Sequence, residues 1–344
     1  MISIDGSYGE GGGQILRTVV ALSILSKLPV HISNIRANRP NTGIKPQHYT
    51  AISLLKELSN ATTEGLEIGS SSLSFLPGTM KSGRFHFDVG TAGSIPLISQ
   101  TVIPLALHIK EPLEIFLRGG TDVKWAPSWD YLTYVFLPLL NQCGIRVDCL
   151  LLKRGYYPKG GGEASFKIYP CKDLRGFIFD APAIFGKVEG IIHLGTLPDH
   201  IGKRMKHQII KDLLKENIQT EISIDIQQTL SSGTGITLWT RADKKIIGCC
   251  KLGEKGVSAE KVAQSAVSDL LRDISEGACL DEHLFDQIVM YLVLAKGRSV
   301  CLVRSLSSHA RTTMWVLEQF FPGKKLFYIE NSHGLVRVEI QGVG

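Results

Sequence analysis

The chain has 344 residues, of which 44% are hydrophobic and 20% are charged. This length corresponds to about two domains, and the composition excludes a disordered chain or a small disulfide-stabilised scaffold. Lysine and arginine outnumber aspartate and glutamate by 38 to 32, and the resulting net charge of +6 is compatible with an anionic partner.

The longest apolar run, residues 288–295, is much shorter than the roughly 20 residues that a bilayer crossing requires. No secretory signal is recognisable at the N-terminus, and the seven cysteines include no C-x-x-C pair. We therefore expect a cytoplasmic protein with reduced thiols and no membrane partner.

In chain order, a helix followed by a strand that ends at an arginine recurs four times. The predicted copies are 15–27 with 30–35, 95–109 with 113–117, 129–142 with 145–153, and 284–295 with 300–303. The pattern predicts an α/β fold with a large domain of repeated units. The arginines after the four strands, which are Arg36, Arg118, Arg154 and Arg304, are expected at one rim of the structure.

A segment with a different order of predicted elements interrupts this pattern. It contains predicted strands at 188–194 and 222–228, helices at 203–216 and 259–276, and a hairpin formed by 236–241 and 245–251. We expect residues 179–276 to form a smaller inserted α/β domain, and residues 1–178 and 277–344 to form the large catalytic domain. The pattern of the inserted segment indicates no chemistry.

The first loop, residues 9–13, is rich in glycine and contains Glu10. It leads into a helix whose first turn carries Gln14 and Arg17, a junction that can bind an anion through backbone N–H groups. The spacing matches neither the P-loop nor the dinucleotide fingerprint. Glu10 can hold a cation such as Mg²⁺ that bridges to phosphate, although a flexible turn with a solvated glutamate explains the loop equally well.

A second loop combines Arg36, Arg39, Lys45 and His48 within thirteen residues. Paired guanidinium groups suit phosphate oxygens, but a solvated basic loop is the alternative. Further along the chain, Ser94 and Ser128 are expected to cap helices after glycine-rich turns.

His309 lies at the predicted start of the last helix, between Arg304 and Arg311. A helix N-terminus attracts phosphate and disfavours a charged imidazole. Beside a bound triphosphate, such a ring can act as a nucleophile on phosphorus.

Together these segments resemble the RNA 3'-terminal phosphate cyclase family over nearly the whole chain. The resemblance rests on motifs that occur in the family's order: the glycine and Glu10 loop with Gln14 and Arg17, the segment from Arg36 and Arg39 to Gln47 and His48, 90–93 with Gln100, 119–121, 157–162, Asp286 with Gln287, and His309.

The resemblance implies that the histidine matching His309 takes AMP from ATP, passes it to an RNA 3'-phosphate, and allows the neighbouring 2'-hydroxyl to close a 2',3'-cyclic phosphate. It implies that Glu10 binds Mg²⁺ or Mn²⁺. Phosphate or RNA-end contacts are implied for Gln14, Arg17, Arg36, Arg39, Gln47 and His48, and nucleotide contacts for Gln100, Pro127, Tyr131, His283, Asp286 and Gln287. Among these, Pro127 and Tyr131 would pack on adenine and its sugar, and His283 on the other adenine face.

Three alternatives have less support from the sequence. A non-catalytic cyclase-like protein that assists ribosome assembly would lack the nucleophilic histidine, whereas His309 and Glu10 are both present. An enolpyruvyl transferase accounts for the arginines alone, and a generic RNA-binding module requires regularly spaced aromatic side chains. The oligomeric state, the RNA substrate and the preferred metal are not predicted.

Overall fold

The computed structural model describes residues 1–332 and 334–344, and the chain has the α/β fold expected from its sequence. The first unit contains β1 Ile2–Asp5, α1 Gly13–Ser26, β2 Val30–Ser33, α2 Pro46–Leu58, β3 Thr62–Glu64 and β4 Leu73–Leu76. Its strands lie in the order β1-β2-β4-β3, and β1 runs parallel to β2.

The second unit repeats this order of elements. It contains β5 Gly83–Asp88, α3 Ile95–Val102, β6 Leu113–Gly119, α4 Trp129–Tyr131, α5 Leu137–Gln142, β7 Val147–Lys153 and β8 Gly162–Ile168. A 3₁₀ segment, Ile103–Leu107, extends α3, and a π-helical segment, Leu132–Phe136, joins α4 to α5. The strand order β5-β6-β8-β7 matches that of the first unit.

A sheet of different topology follows. Its elements are β9 Lys187–Gly195, α6 Asp199–Lys215, β10 Gln219–Gln227, β11 Gly233–Ala242, β12 Lys245–Leu252 and α7 Ala259–Ser275. The strand order is β10-β9-β11-β12, and β11 and β12 form the expected antiparallel hairpin. We keep the predicted domain limits, 178/179 and 276/277, as a proposal.

The last unit contains α8 Glu282–Leu294, β13 Arg298–Val303, α9 Ser308–Phe320, β14 Phe327–Ser332 and β15 Leu335–Gln341. Its strand order is β13-β15-β14, and residues 175 and 178 form parallel bridges to Lys296 and Val300 on the far side of β13. With that segment as its first strand, this unit has the topology of the other two.

The prediction of four repeat copies is therefore wrong, because the structure contains three six-element units. The copy expected at 129–142 and 145–153 is the second helix and the third strand of the second unit. A helix followed by a strand occurs twice in each unit, so hydrophobic periodicity alone does not show where a unit begins.

The apolar helices of the three units form the centre of the molecule. Helix α1 contacts α2, α3 and α9, and α8 contacts α9. Most side chains of α8 are buried, which explains why its sequence shows a continuous apolar run instead of one apolar face. None of the described helices combines the length and the hydropathy that a membrane crossing requires.

Serine side chains begin several helices. The Ser94 hydroxyl accepts a hydrogen bond from the backbone N–H of Leu97 at 3.2 Å, and that of Ser128 accepts one from Tyr131 at 3.0 Å. Both predicted caps are therefore confirmed. The seven cysteines are free thiols, and five of them are buried.

Candidate active site

A cavity of about 430 Å³ lies between the central helices and the loop that precedes α4. Its walls come from all three repeated units, which explains why its residues are scattered along the chain. Nine of the fourteen predicted site residues line it: Gln14, Arg17, Gln100, Pro127, Tyr131, His283, Asp286, Gln287 and His309.

The contact between His309 and Gln14 defines the orientation of the histidine ring. The Gln14 Nε2 donates to the backbone carbonyl of His309 at 3.0 Å and to the hydroxyl of Thr313, so its Oε1 is left to accept from the His309 Nδ1. Because an amide oxygen only accepts, the proton of a neutral ring lies on Nδ1. The lone pair of Nε2 is then available, on a side chain that is 48% exposed.

Glu10 lies on the other side of the imidazole. Its carboxylate accepts hydrogen bonds from the Ser308 hydroxyl and, at 2.7 Å, from Arg39, and one of its oxygens is 3.7 Å from the His309 Nε2. The Ser308 hydrogen bond lowers the pKa of Glu10, and His309 and Arg39 act in the same direction. Glu10 is therefore held as a carboxylate close to the His309 ring.

Arg17 is half-buried in the cavity wall and has no hydrogen-bond or ion-pair partner among residues 1–332 and 334–344. Burial, followed by the nearby Arg36, lowers the pKa of its guanidinium to about 10. An unpaired cation that faces a cavity is costly in an empty site, and it is stabilised by an anion. This wall is the part of the cavity best suited to phosphate.

His48 is buried behind Arg17 and does not line the cavity. A Cβ on Gly13, the first residue of α1, would lie 1.9 Å from the His48 Nε2, so only glycine allows this approach. Burial, with further contributions from Arg17 and Arg36, lowers the pKa of His48 to about 3. His48 is thus a neutral neighbour of two cations.

Three other predicted phosphate ligands also lie outside the cavity lining. Arg39 is bonded to Glu10, and Arg36 donates to the carbonyl of Asn41 at 3.3 Å. The Nε atoms of both arginines are buried without a hydrogen-bond partner in the described part of the chain. Gln47 accepts from the backbone N–H of Ser94 at 3.1 Å, so its amide oxygen supports the first turn of α3.

A chain of side-chain amides joins α3 to α8 across the cavity. Gln100 donates to the Oε1 of Gln287, and Gln287 donates to the carbonyl of His283 at 2.8 Å. Asp286 accepts from the hydroxyl of Ser307, the residue that caps α9. Asp286 raises the pKa of His283, and because this imidazole is 73% exposed, solvent screens the pair.

Tyr131 forms the buried end of the cavity. Its hydroxyl donates to Asp281 at 2.6 Å, and Asp281 also accepts from the backbone N–H groups of Leu284 and Gly248 at 3.0 Å. Burial raises the pKa of both Tyr131 and Asp281. Since Gly248 belongs to β12, this carboxyl group joins the inserted sheet to the cavity wall.

The expectation that four strand-end arginines share one rim is wrong. Arg118 and Arg304 are each paired with two acidic side chains away from the cavity, and Arg154 is buried. Only Arg36 approaches the cavity wall. Local sequence places each arginine after a strand but does not show where its acidic partners lie.

Arg154 is the centre of a buried ion-pair cluster. It donates to Asp122 at 3.1 Å, to Asp130 at 2.9 Å and to Asp225 of β10 at 2.7 Å. Asp122, Asp130 and His193 are the one trio in the described residues that is close enough to share a metal ion. Because Arg154 bonds both of these carboxylates, its guanidinium takes the place that a cation would fill.

Sequence reasoning missed four site residues: Trp125, Asp281, Ser308 and Thr313. Trp125 and Thr313 line the cavity, Ser308 bonds Glu10, and Asp281 bonds Tyr131. The sequence signal was weak for three of them, because the partners of Ser308, Asp281 and Thr313 lie more than a hundred residues away along the chain. The proline and glycine content around Trp125 marked only a loop.

Known proteins resemble this chain over nearly its whole length. A family model described as RNA 3'-terminal phosphate cyclase matches residues 8–325. The RNA 3'-terminal phosphate cyclase of Pyrococcus furiosus is 42% identical over 334 residues, which cover 97% of this chain and 96% of the relative. The proteins of the same name from Pyrobaculum neutrophilum and Methanosarcina mazei are 41% and 40% identical, and each alignment covers at least 99% of both chains.

Proposed function

The chain belongs to the RNA 3'-terminal phosphate cyclase family, and from this premise we propose that it uses ATP to convert the 3'-phosphate of an RNA end into a 2',3'-cyclic phosphate. The observation that carries the proposal is the pairing of His309 with Gln14 at the cavity wall. It leaves the Nε2 lone pair free in a cavity that is also lined by Arg17, whose guanidinium has no partner among the described residues. A non-catalytic role in ribosome assembly gives no reason for this arrangement.

In the first step, the His309 Nε2 attacks the α-phosphorus of ATP. The Nε2–P bond forms, the bond from the α-phosphorus to the bridging oxygen breaks, and pyrophosphate leaves. The ring becomes positively charged while Nδ1 keeps its proton, so the hydrogen bond to Gln14 strengthens as the charge develops. Gln14 therefore stabilises the transition state more than the free enzyme.

In the second step, an oxygen of the RNA 3'-phosphate attacks the same phosphorus, and the Nε2–P bond breaks to restore the neutral ring. In the third step, the 2'-hydroxyl loses its proton to solvent and its oxygen attacks the RNA phosphorus. The bond from that phosphorus to the bridging oxygen of AMP breaks, so AMP leaves as the ring closes. Each step replaces one bond to phosphorus by another, so the reaction consumes one ATP and releases AMP and pyrophosphate.

Arg17 supplies the charge that brings these anions together. Its guanidinium lines the cavity without a partner among residues 1–332 and 334–344, and burial and the nearby Arg36 lower its pKa. Two neighbouring cations repel one another until a phosphate lies between them. We assign Arg17 to the phosphates of ATP, and Arg36 and Arg39 to the approaching RNA end.

The residues around Glu10 fit Mg²⁺ or Mn²⁺ held mainly by phosphate and water. Mg²⁺ commonly takes one or two protein carboxylates and completes its shell with substrate phosphates, and Glu10 supplies one carboxylate 3.7 Å from His309. The ion would neutralise charge on the leaving phosphates. In the protein alone, Arg39 donates a hydrogen bond to the Glu10 carboxylate. A metal ion would therefore have to bind this carboxylate together with Arg39 or displace Arg39 from it.

The adenosine half of ATP fits the part of the cavity that is lined by Pro127, Tyr131 and His283. The side-chain amides of Gln100 and Gln287 also line the cavity and offer hydrogen bonds. We assign Pro127 and His283 to the faces of adenine. We place Asp286 near the sugar, where its carboxylate can accept from a hydroxyl.

The proposal is tested by intact-protein mass after incubation with ATP and Mg²⁺ without RNA. The wild type should gain the mass of one AMP, and His309→Ala should gain none. His207→Ala, which removes an exposed histidine of α6, is the matched control and should react as the wild type does. The adduct should be lost in acid and retained in alkali, as a phosphorus–nitrogen bond predicts. A folded wild type that binds ATP but gains no mass would refute the covalent mechanism.

A further inference from the structure

Trp125 is the most exposed large apolar residue in the described part of the chain. It is 96% accessible to solvent, and it lines the cavity together with Pro127. Its backbone has φ of +61°, in the left-handed region. A bulky aromatic residue rarely adopts this conformation, and strain of this kind is concentrated at ligand sites. Folding alone gives no reason for a strained and exposed tryptophan.

The loop that presents Trp125 is fixed at both ends. The buried Arg154 donates to Asp122 before the loop and to Asp130 after it. Within the loop, the Ser128 hydroxyl bonds the Thr237 hydroxyl of β11 at 2.8 Å. The indole therefore extends from a rigid frame at the edge of the cavity, and its exposure does not result from a loose segment.

The surroundings of Trp125 indicate which ligand would cover it. His283 is also exposed at the cavity, and Pro127 lies two residues away. The same cavity is also lined by Arg17, whose guanidinium has no partner among residues 1–332 and 334–344. Aromatic surface and an unpaired cation in one cavity match a nucleotide, which offers a π face and a phosphate.

We propose that Trp125 is a stacking platform for a nucleobase at the mouth of this cavity, an inference that rests on the proposed function. Two sources could supply the base: the terminal base of the RNA, and the adenine of ATP, which would then stack on the indole instead of on His283. Both present the same flat π face, and stacking does not require hydrogen-bond recognition. The two sources are separable because ATP binds before RNA is needed.

The test compares Trp125→Gly with Trp125→Phe. Glycine adopts the left-handed conformation without strain, so Trp125→Gly should melt at or above the wild-type temperature while losing the platform. Phenylalanine keeps a ring and should retain most of the binding. Tyr328→Ala, which removes an exposed ring remote from the cavity, is the control.

Two quantities are measured for each variant. The first is the ATP dissociation constant in a His309→Ala background, where no covalent step occurs, and the second is the RNA concentration that half-saturates AMP transfer from pre-formed enzyme–AMP. Loss of a stacked base should raise one of these values roughly 5- to 150-fold. A rise in the first assigns adenine, and a rise in the second assigns the RNA base.

If neither value changes in Trp125→Gly, the platform proposal is wrong. This failure is distinguishable from failure of the proposed function, because ATP binding is measured without catalysis. A wild type that forms no enzyme–AMP would refute the mechanism, whereas a weakened ATP complex in Trp125→Gly would still identify the base platform.

Discussion

Gln14→Met tests the assignment of the nucleophilic nitrogen. The substitution keeps the length of the side chain but removes the oxygen that accepts from the His309 Nδ1 and the nitrogen that donates to Thr313. During attack on ATP the ring becomes charged, and a hydrogen bond to a charged group contributes about 1.5–3 kcal/mol. We therefore expect enzyme–AMP to form about 10- to 150-fold more slowly.

The assay is a single-turnover measurement of AMP transfer to the protein at saturating ATP. Since Gln14 acts on the ring, the rate at saturation should fall more than the apparent ATP affinity. Gln319→Met is the matched control, because Gln319 lies on α9, the helix of His309, and among the described residues its side chain donates only to the carbonyl of Trp315 at 3.3 Å. An unchanged rate in Gln14→Met would refute the role assigned to this contact.

Three further outcomes follow from the charges of the structure. Arg154→Met leaves three carboxylates without their cation and should lower the free energy of unfolding by about 3–5 kcal/mol. Arg118→Met, which removes two exposed ion pairs, should change it by less than about 1 kcal/mol, and denaturant titration measures both. Burial lowers the pKa of His193 from 6.5 to about 4. Between pH 4 and pH 6.5, His193 is therefore protonated in the unfolded chain but not in the folded protein. Stability should therefore fall by up to about 3 kcal/mol as the pH falls from 6.5 to 4, and His193→Gln should lose this part of the pH dependence while His207→Gln keeps it. Arg17→Met should weaken ATP binding about 10- to 150-fold, as measured by isothermal titration calorimetry. It should not lower the stability, because the Arg17 guanidinium has no partner in the described residues. Equal ATP affinities of Arg17→Met and Arg118→Met would contradict the assignment of Arg17 to phosphate.

Local patterns predicted most of the secondary structure. Predicted helices such as 259–276 differ by few residues from α7 Ala259–Ser275, because apolar periodicity and a serine cap are encoded within the segment itself. The caps at Ser94 and Ser128 were predicted for the same reason. The number of repeated units was not predicted correctly, because each unit contains the same helix-to-strand pattern twice.

The sequence predicted nine of the residues that line the cavity, but it did not predict the contacts between them. Gln14 and His309 lie 295 residues apart in the sequence, and only packing of α1 on α9 brings them together. In the sequence, Arg154 looks like the other strand-end arginines, because its three acidic partners lie in other parts of the chain. Trp125 offered no periodic signal, because it lies in a loop and the base that we propose as its partner is not part of the chain.

The most direct test of the account follows the fate of an RNA carrying a labelled 3'-phosphate. With ATP and Mg²⁺, the wild type should make the label resistant to phosphatase, and the product should be a 2',3'-cyclic phosphate formed together with AMP. His309→Ala should leave the label sensitive. Cyclisation by His309→Ala at the wild-type rate, or none by a folded wild type that carries AMP, would contradict the proposed reaction.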